Sequence, residues 1–168
     1  MMVENVHSRT YPAPSAELGR LLGTLSSNDD LVWPTEYWPP MVFKDGLTVG
    51  AKGGHSPIRY RVEECVPGKR VIFRFLSPSG FNGTHSFEVF PMGESEARLT
   101  HTIKMKIEGA AKVTWPLLIR PLHDALLEDA LSKVEAGLGL VPAPTRWSVW
   151  VKFVRWVMSG GKARAKYA

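Results

Sequence analysis

Alternation of apolar and polar residues dominates the middle of the chain, from Met41 to Glu108. A period of two is typical of strands with one buried and one solvated face, and turn-forming residues divide this region into six such runs. In the last four runs the inward positions are Ile58, Tyr60 and Val62; Val71, Phe73 and Phe75; His85, Phe87 and Val89; and Leu99, His101, Ile103, Met105 and Ile107. The alternate positions are largely charged, so the pattern predicts a sheet with one wet face.

The pattern changes before this region. Residues Val3 to Tyr11 form a further predicted strand, and Ser15 is placed to cap a helix from Ala16 to Leu22. A second short helix is predicted over residues 25–31. The proline-rich stretch 33–40 cannot be regular helix, but it carries three large aromatic residues that favour burial. We expect this stretch to fold over an apolar surface.

A long helical pattern runs from Ala111 to about Leu138. Its apolar stripe on a helical wheel consists of Trp115, Leu118, Ile119, Leu122, Leu126 and Ala130. A sheet with one wet face must bury the other, so the long helix is expected to lie on the sheet. The opposite face carries Asp124 and Glu128, which we expect to form a solvated stripe with Arg120 rather than a catalytic pair. No catalytic role is expected for Asp129 either.

Charge separates the chain into two parts. Residues 1–144 hold 15 basic and 16 acidic residues, whereas residues 145–168 hold six basic residues and no acidic residue. A domain that bound nucleic acid would carry the positive field on its folded part, so nucleic acid is not an expected partner. Without a secretory signal or a membrane-spanning run, a cytoplasmic protein is expected. Cys65 is the only cysteine, which excludes an intramolecular disulfide.

The basic tail contains a second helical pattern. From Trp147 to Ser159, the polar residues Ser148, Lys152, Arg155 and Ser159 fall within a narrow stripe. Such a helix would be about 20 Å long, too short to span a bilayer. It could pack on its own domain or on a second subunit as a homodimer contact, or it could lie peripherally in a membrane interface. The last residues, 160–168, are expected to form a flexible basic end.

Three local features resemble one protein superfamily. The segment 10–17 is similar to its first junction between strand and helix, and segments 60–64 and 67–75 are similar to its central hairpin. Together with the order of elements, they resemble the helix-grip superfamily of START-like lipid-transfer domains and polyketide cyclases (SRPBCC). The resemblance implies an α+β fold: a curved seven-stranded antiparallel sheet around a long C-terminal helix, in the order β-α-α-β6-α. Residues 1–140 would form this domain, followed by 141–168 as linker, extra amphipathic helix and flexible end.

The resemblance implies a cavity between sheet and long helix that holds a small hydrophobic molecule, such as a lipid, polyketide or aromatic compound. The protein would be a carrier or sensor; the alternatives are a cyclase- or dehydratase-like enzyme with a histidine as general acid/base, and a membrane-docked lipid-transfer module. No cofactor is expected. The inward positions that we expect to contact the ligand are Trp38, Tyr60, Phe73, Phe75, Phe81, His85, Phe87, His101, Ile103, Trp115, Ile119, Leu122, His123 and Leu126.

Three of these residues are the main candidates for chemistry, His85, His101 and His123, with Tyr60, Thr84 and Ser86 as lesser ones. Residues His85 and His101 lie directly opposite each other if the paired numbers of their hairpin sum to 186, and sums of 184 or 188 separate them. Three imidazoles can hold zinc, but we assign no metal because backbone, serine or water partners satisfy such histidines equally well. Trp38 and Phe81 are candidate gates at the mouth of the cavity, or ordinary caps of the core.

Overall fold

Seven antiparallel strands form a single sheet in the order β1-β7-β6-β5-β4-β3-β2. The computed structural model of the chain describes residues 1–161. The predicted basic end lies largely beyond them, at 162–168. The strands are β1 (Met2–Tyr11), β2 (Val42–Phe43), β3 (Lys52–His55), β4 (Ile58–Val66), β5 (Arg70–Ser77), β6 (Phe81–Pro91) and β7 (Ala97–Ile107). The predicted seven-stranded sheet is therefore confirmed.

Helix α1 (Ser15–Leu22) follows β1, and a long helix follows β7. The long helix consists of α2 (Ala111–Thr114), a π-helical segment (Trp115–Ile119) and α3 (Arg120–Gly137). A final helix, α4 (Val149–Met158), ends the described part of the chain. No helix among residues 1–161 has the length and apolar character that crossing a membrane requires.

The inward positions of the sheet pack against the long helix as predicted. Phe73, Phe87 and Ile107 are fully buried, and Leu126, Leu127 and Leu131 from α3 belong to the same core. The outer face of the sheet is charged, with Arg74 held by both oxygens of Glu63 at 2.7 and 2.9 Å. Burial of one face against one helix layer explains why the alternation of the strands was so regular.

The second short helix predicted over residues 25–31 is not formed; this stretch consists of turns. The side chain of Asp30 is the physical reason, because its carboxylate accepts backbone N–H groups of Ser26, Val32 and Trp33 at 2.7 to 2.8 Å. Ser26 also adopts a positive φ of 66°, which a helix does not allow. The Asp30 side chain therefore binds backbone N–H groups that would otherwise pair with carbonyl groups within a helix.

The π-helical segment interrupts the regular spacing of the long helix. Trp115 is buried and Leu118 is 39% exposed, although the wheel of a regular helix placed both on the apolar stripe. A π turn holds more residues than an α turn, so the side chains around it leave the α-helical spacing. Leu118 still lines the space between helix and sheet beside Ile119 and Leu122, so it lies at the edge of the stripe.

Helix α4 packs on the domain with one of its faces. Trp147, just before the helix, and Val151 within it belong to the same buried core as the sheet. Ser148 caps the helix by accepting the Val151 N–H at 3.2 Å. The tail is therefore packed into the core, and two residues of α4 contribute to the wall of a cavity between the sheet and the long helix.

Candidate functional site

A cavity of about 370 Å³ lies between the sheet and the long helix. Its walls are almost entirely apolar and come from β4 to β7, the π-helical segment, α3 and the segment 33–40. Two residues of the tail helix, Arg155 and Met158, complete the wall. Small-molecule sites typically have volumes of about 300–1,000 Å³, so this cavity has the size and lining of such a site.

Twelve of the fourteen residues that the sequence placed in the cavity line it: Trp38, Tyr60, Phe75, Phe81, His85, His101, Ile103, Trp115, Ile119, Leu122, His123 and Leu126. Phe73 and Phe87 do not line it. Both are fully buried, and Phe73 stacks on His85 at 4.8 Å between ring centroids, behind the cavity wall. Trp38 and Phe81, the candidate gates, are also buried in the wall.

Two pairs of polar side chains interrupt the apolar wall. The Tyr60 hydroxyl lies 2.7 Å from His55 Nε2, and His85 Nδ1 lies 3.2 Å from His101 Nε2. The ring of His85 also packs against Tyr60, with centroids 4.3 Å apart. These four residues form one polar cluster in an otherwise apolar cavity.

The register of β6 and β7 brings the two histidines together in an unexpected way. His85 is opposite Ile103, and His101 is opposite Phe87, so the numbers of paired residues sum to 188. Of the three registers that the sequence left open, the structure has the sum of 188, in which His85 and His101 are not directly opposite each other. The two residues are diagonal neighbours on the same face, close enough for their rings to contact each other.

Burial keeps the imidazoles of this cluster neutral. Loss of solvation lowers the pKa of His55 to about 3, and the same cause lowers the pKa of His85 and of His101 well below the ordinary value. Burial likewise raises the pKa of the Tyr60 hydroxyl. A neutral imidazole carries one N–H donor and one acceptor nitrogen, so the cluster can both donate a hydrogen bond to a ligand and accept one from it.

Three further groups extend this cluster toward the surface. The ring of His101 contacts that of His123, with centroids 4.9 Å apart, and His123 Nδ1 lies 3.8 Å from Asp124 Oδ1. The same oxygen lies 3.0 Å from His7 Nε2. All five histidines of the sequence therefore belong to one continuous group that crosses the protein.

Asp124 and Glu128 are not the solvated stripe that the sequence suggested. Strand β1 turns its inward residues toward them: His7 contacts both carboxylates at 3.0 Å, and Arg9 contacts Glu128 at 2.9 Å. The predicted pair between Arg120 and Asp124 is present at 3.6 Å. Burial opposes ionisation of Asp124, but the nearby His123 and the hydrogen bonds to His7 and Asn5 lower its pKa. The two carboxylates in turn raise the pKa of His7 against the effect of burial.

The zinc alternative for His85, His101 and His123 does not coincide with the group whose spacing fits a metal. Within residues 1–161, the atoms that lie within 4.8 Å of one another belong to His7, His123 and Asp124. Ion pairs with Asp124 and Glu128 already satisfy His7, and Asn5 donates to Asp124 at 3.0 Å. His7 and Asp124 of this group are thus already paired, whereas His123 Nδ1 has no hydrogen-bond partner in the described part of the chain.

The tail side of the cavity is organised by a buried carboxylate, Asp129. It accepts the indole N–H groups of Trp38 and Trp147 at 2.8 and 2.9 Å, and the hydroxyl of Thr145. Arg155 lies over the Trp38 ring at 4.5 Å and donates to the carbonyl of Tyr37. One acidic residue thus joins α3, the segment 33–40 and the tail.

The residues expected to contact the ligand did not include four prominent cavity residues: Trp33, His55, Arg155 and Met158. His55 ends a strand of only four residues, too short for alternation to assign its face. Arg155 was read as part of the polar stripe of the tail, because a wheel does not show that its guanidinium can stack on buried indoles. The aromatic richness of 33–40 was the one available signal for Trp33.

No protein-family model and no curated protein sequence matches the chain. Solved structures do. CalU16 from Micromonospora echinospora is 11% identical over 94% of this chain and 87% of its own, with a TM-score of 0.59. A norcoclaurine synthase from Thalictrum, solved with a transition-state analogue, is 12% identical over 78% and 95%, with a TM-score of 0.53. A START superfamily protein from Mycobacterium smegmatis is 12% identical over 82% and 97%, also at 0.53.

At this level of identity the comparisons establish the architecture alone. The matches extend over 94% and 82% of this chain, so they include most of the seven-stranded sheet and the long helix. The chain therefore has the START-like helix-grip fold, extended by a tail helix that closes one side of its cavity.

Proposed function

We propose that the protein binds a small hydrophobic molecule in the cavity and acts as its carrier or sensor. The observation that carries this proposal is the cavity itself, which is about 370 Å³ and walled by aromatic and aliphatic side chains. Filling an apolar cavity with an apolar ligand removes that ligand's surface from water and gains about 25 cal/mol per Å². The fold supports the proposal, because its solved members include a START superfamily protein.

The ligand carries at least one hydroxyl or carbonyl group at the end that meets the polar cluster. In the described part of the chain, no partner lies within hydrogen-bond distance of His85 Nε2 or of His101 Nδ1, and both atoms are buried. A buried polar atom without a partner costs about 1–3 kcal/mol. A ligand with a polar end offsets this cost, which a pure hydrocarbon cannot do.

Native mass spectrometry and solvent extraction of the purified protein test the proposal. We expect an apolar compound with one or two polar atoms to co-purify, or a panel of fatty acids, sterols and polycyclic phenols to raise the melting temperature. The variant Ile103→Trp fills the cavity with a larger side chain and should abolish both effects while the protein stays folded. Absence of any co-purified compound and of any thermal shift would refute the proposal.

A second function, acid/base catalysis of the kind found in cyclases, is favoured by the pair His85 and His101. Because their facing nitrogens share one hydrogen bond, only one of the two rings can donate into it. If the outer nitrogen of one ring gains a proton and the outer nitrogen of the other ring loses one, the shared proton moves across and the donor and acceptor of the hydrogen bond exchange roles. Such a pair can take a proton from one atom of a substrate and return it to another.

Deuterium exchange distinguishes the two functions. An enzyme of this kind would exchange carbon-bound hydrogens next to a carbonyl of a bound polyketide mimic, and His85→Gln or His101→Gln would stop the exchange without preventing binding. The variant His123→Gln tests whether the third imidazole takes part. A carrier binds the same compound and leaves its hydrogens unchanged.

A further inference from the structure

The tail helix α4 presents an apolar face to solvent on the side away from the domain. Val149, Trp150, Phe153, Trp156 and Val157 lie on this face, and Phe153 and Trp156 are 53% and 54% exposed. These positions follow one another at the spacing of a single helix face, while Val151 and Val154 point into the protein. Tail packing therefore accounts for only one of the two apolar faces of this helix.

The long helix extends the exposed surface. Val113, Leu117 and Leu118 are exposed on α2 and the π-helical segment, and Trp150 of α4 donates its indole N–H to the carbonyl of Leu117 at 2.7 Å. We name the eight residues of these two helices the apolar patch: Val113, Leu117, Leu118, Val149, Trp150, Phe153, Trp156 and Val157. An exposed apolar surface of this extent marks an interaction site.

Charge indicates what the patch meets. Residues 109–123 and 136–161, which include the whole patch, contain no Asp or Glu, but they contain five Lys and Arg residues. Lys112 and Lys152 are exposed, directly before Val113 and Phe153 of the patch in the chain. Arg155, which the sequence also placed among the docking residues, is instead directed into the protein. Aromatic residues flanked by basic residues without acids are complementary to the headgroup region of an anionic membrane.

We propose that the apolar patch docks the protein on an anionic lipid bilayer, with Trp150, Phe153 and Trp156 in the interface and Lys152 on lipid phosphates. The patch adjoins the cavity, because Leu118 of the patch also lines the cavity, as does the neighbouring Met158. Docking therefore brings the edge of the cavity to the membrane surface. Membrane docking rests on the proposed function only in its role, which is the exchange of an apolar ligand. The binding to the membrane is independent of that function.

Vesicle flotation of the full chain tests this docking. We expect binding to vesicles in which about a third of the lipid is phosphatidylglycerol, little binding to pure phosphatidylcholine, and weakening of the bound fraction by about 0.5 M NaCl. Tryptophan emission should move to shorter wavelength on binding. The double variant Phe153→Ser with Trp156→Ser should lower the partition coefficient at least about tenfold, and Lys152→Glu should lower it by a similar factor.

The matched control is the double variant Leu76→Ser with Phe90→Ser, which removes two similarly exposed apolar side chains from the outer face of the sheet. It should float as the wild type does. Point variants are preferable to removal of the tail, because Trp147 and Val151 belong to the core. Unchanged melting temperatures would show that each variant is folded.

Equal binding of both double variants would overturn the proposal, and so would binding that does not depend on lipid charge. A third contrary result is a wild type that does not bind vesicles but is a dimer in light scattering, and that becomes a monomer in the double variant Phe153→Ser with Trp156→Ser. The last result would assign the patch to a second copy of the chain. Failure of the carrier proposal has a different signature. There, the wild type would float with anionic vesicles but show no ligand-induced thermal shift in solution.

Discussion

His85 Nδ1 and His101 Nε2 lie 3.2 Å apart in a buried contact between two neutral rings. The proton in that contact can belong to either ring, and its position determines whether the outer nitrogen of each ring is a donor or an acceptor. The two outer nitrogens always have opposite roles. A ligand group that binds one of them therefore sets the state of the other.

Replacing His85 by leucine should remove the polar anchor and keep the apolar volume. We expect the affinity for a ligand with a hydroxyl or carbonyl group to fall about three- to tenfold, the amount one neutral hydrogen bond contributes. The affinity for its hydrocarbon analogue should be unchanged or slightly higher. Isothermal titration with such a matched ligand pair measures both values, and equal losses for the two ligands would exclude a polar role for His85.

His55 should make the protein sensitive to mild acid. Its pKa is about 3 in the folded protein, against 6.5 in an unfolded chain, so between these values only the unfolded chain binds the proton. The free energy of unfolding therefore falls as the pH falls below about 6.5, by at most about 1.4 kcal/mol per pH unit for this residue. Urea denaturation of His55→Gln between pH 7.5 and 5 should show a correspondingly shallower decrease.

His7 provides the control of opposite sign. Its pKa is raised by two carboxylates, so its contribution to stability is present below pH 6.5 and is lost as the pH rises through the folded value. The variant His7→Gln should therefore lose stability in acid and little at alkaline pH. If His55→Gln and His7→Gln changed the pH profile in the same direction, the assigned causes would be wrong.

Asp129→Asn should loosen the tail. The carboxylate accepts hydrogen bonds from Trp38, Trp147 and Thr145, and an amide has only one oxygen to replace two. We expect a loss of about 2–4 kcal/mol in the free energy of unfolding and faster tryptic cleavage after Lys152. Glu128→Gln is the control, since its half-exposed carboxylate should contribute about 1 kcal/mol or less. Equal losses would show that Asp129 has no special role.

Gly19→Ala should displace helix α1. A Cβ at this position would lie 2.2 Å from the carbonyl oxygen of Gly68, in the turn between β4 and β5. The backbone must move to admit it, at a cost of about 1–3 kcal/mol. Gly23→Ala at the end of the same helix meets the carbonyl oxygen of Arg20 at 3.3 Å and has a φ of −63°, so it should be tolerated better than Gly19→Ala. Chemical denaturation of both variants compares the two positions.

The sheet was predictable because each inward residue of β4 to β7 alternates with an outward polar residue. The same rule failed on β1, where the inward residues Asn5, His7 and Arg9 are themselves polar and meet Asp124, Glu128 and Glu135. Polar residues that pair inside the protein cannot be distinguished from polar residues in water by pattern alone. For this reason the ion-pair network and the place of His7 in it were missed.

The cavity was predictable in composition but not in its closure. Apolar periodicity placed Ile103, Trp115 and Leu126 in the wall, whereas the register of His85 and His101 depends on a turn geometry that the residues 91–97 do not specify. The burial of Asp129 depends on donors up to 91 residues away in the sequence. Such long-range satisfaction of a charge is a property of the folded chain and has no local pattern.

Helix α4 has two faces with different contacts. Arg155 and Met158 line the cavity, whereas Phe153 and Trp156 face outward. If contact with lipid lifts this helix, ligand affinity falls by some factor. Thermodynamic reciprocity then requires that a bound ligand weaken the attachment to lipid by the same factor. A loaded protein would leave the membrane more readily than an empty one, while the concentration gradient of the ligand alone sets the direction of net transfer.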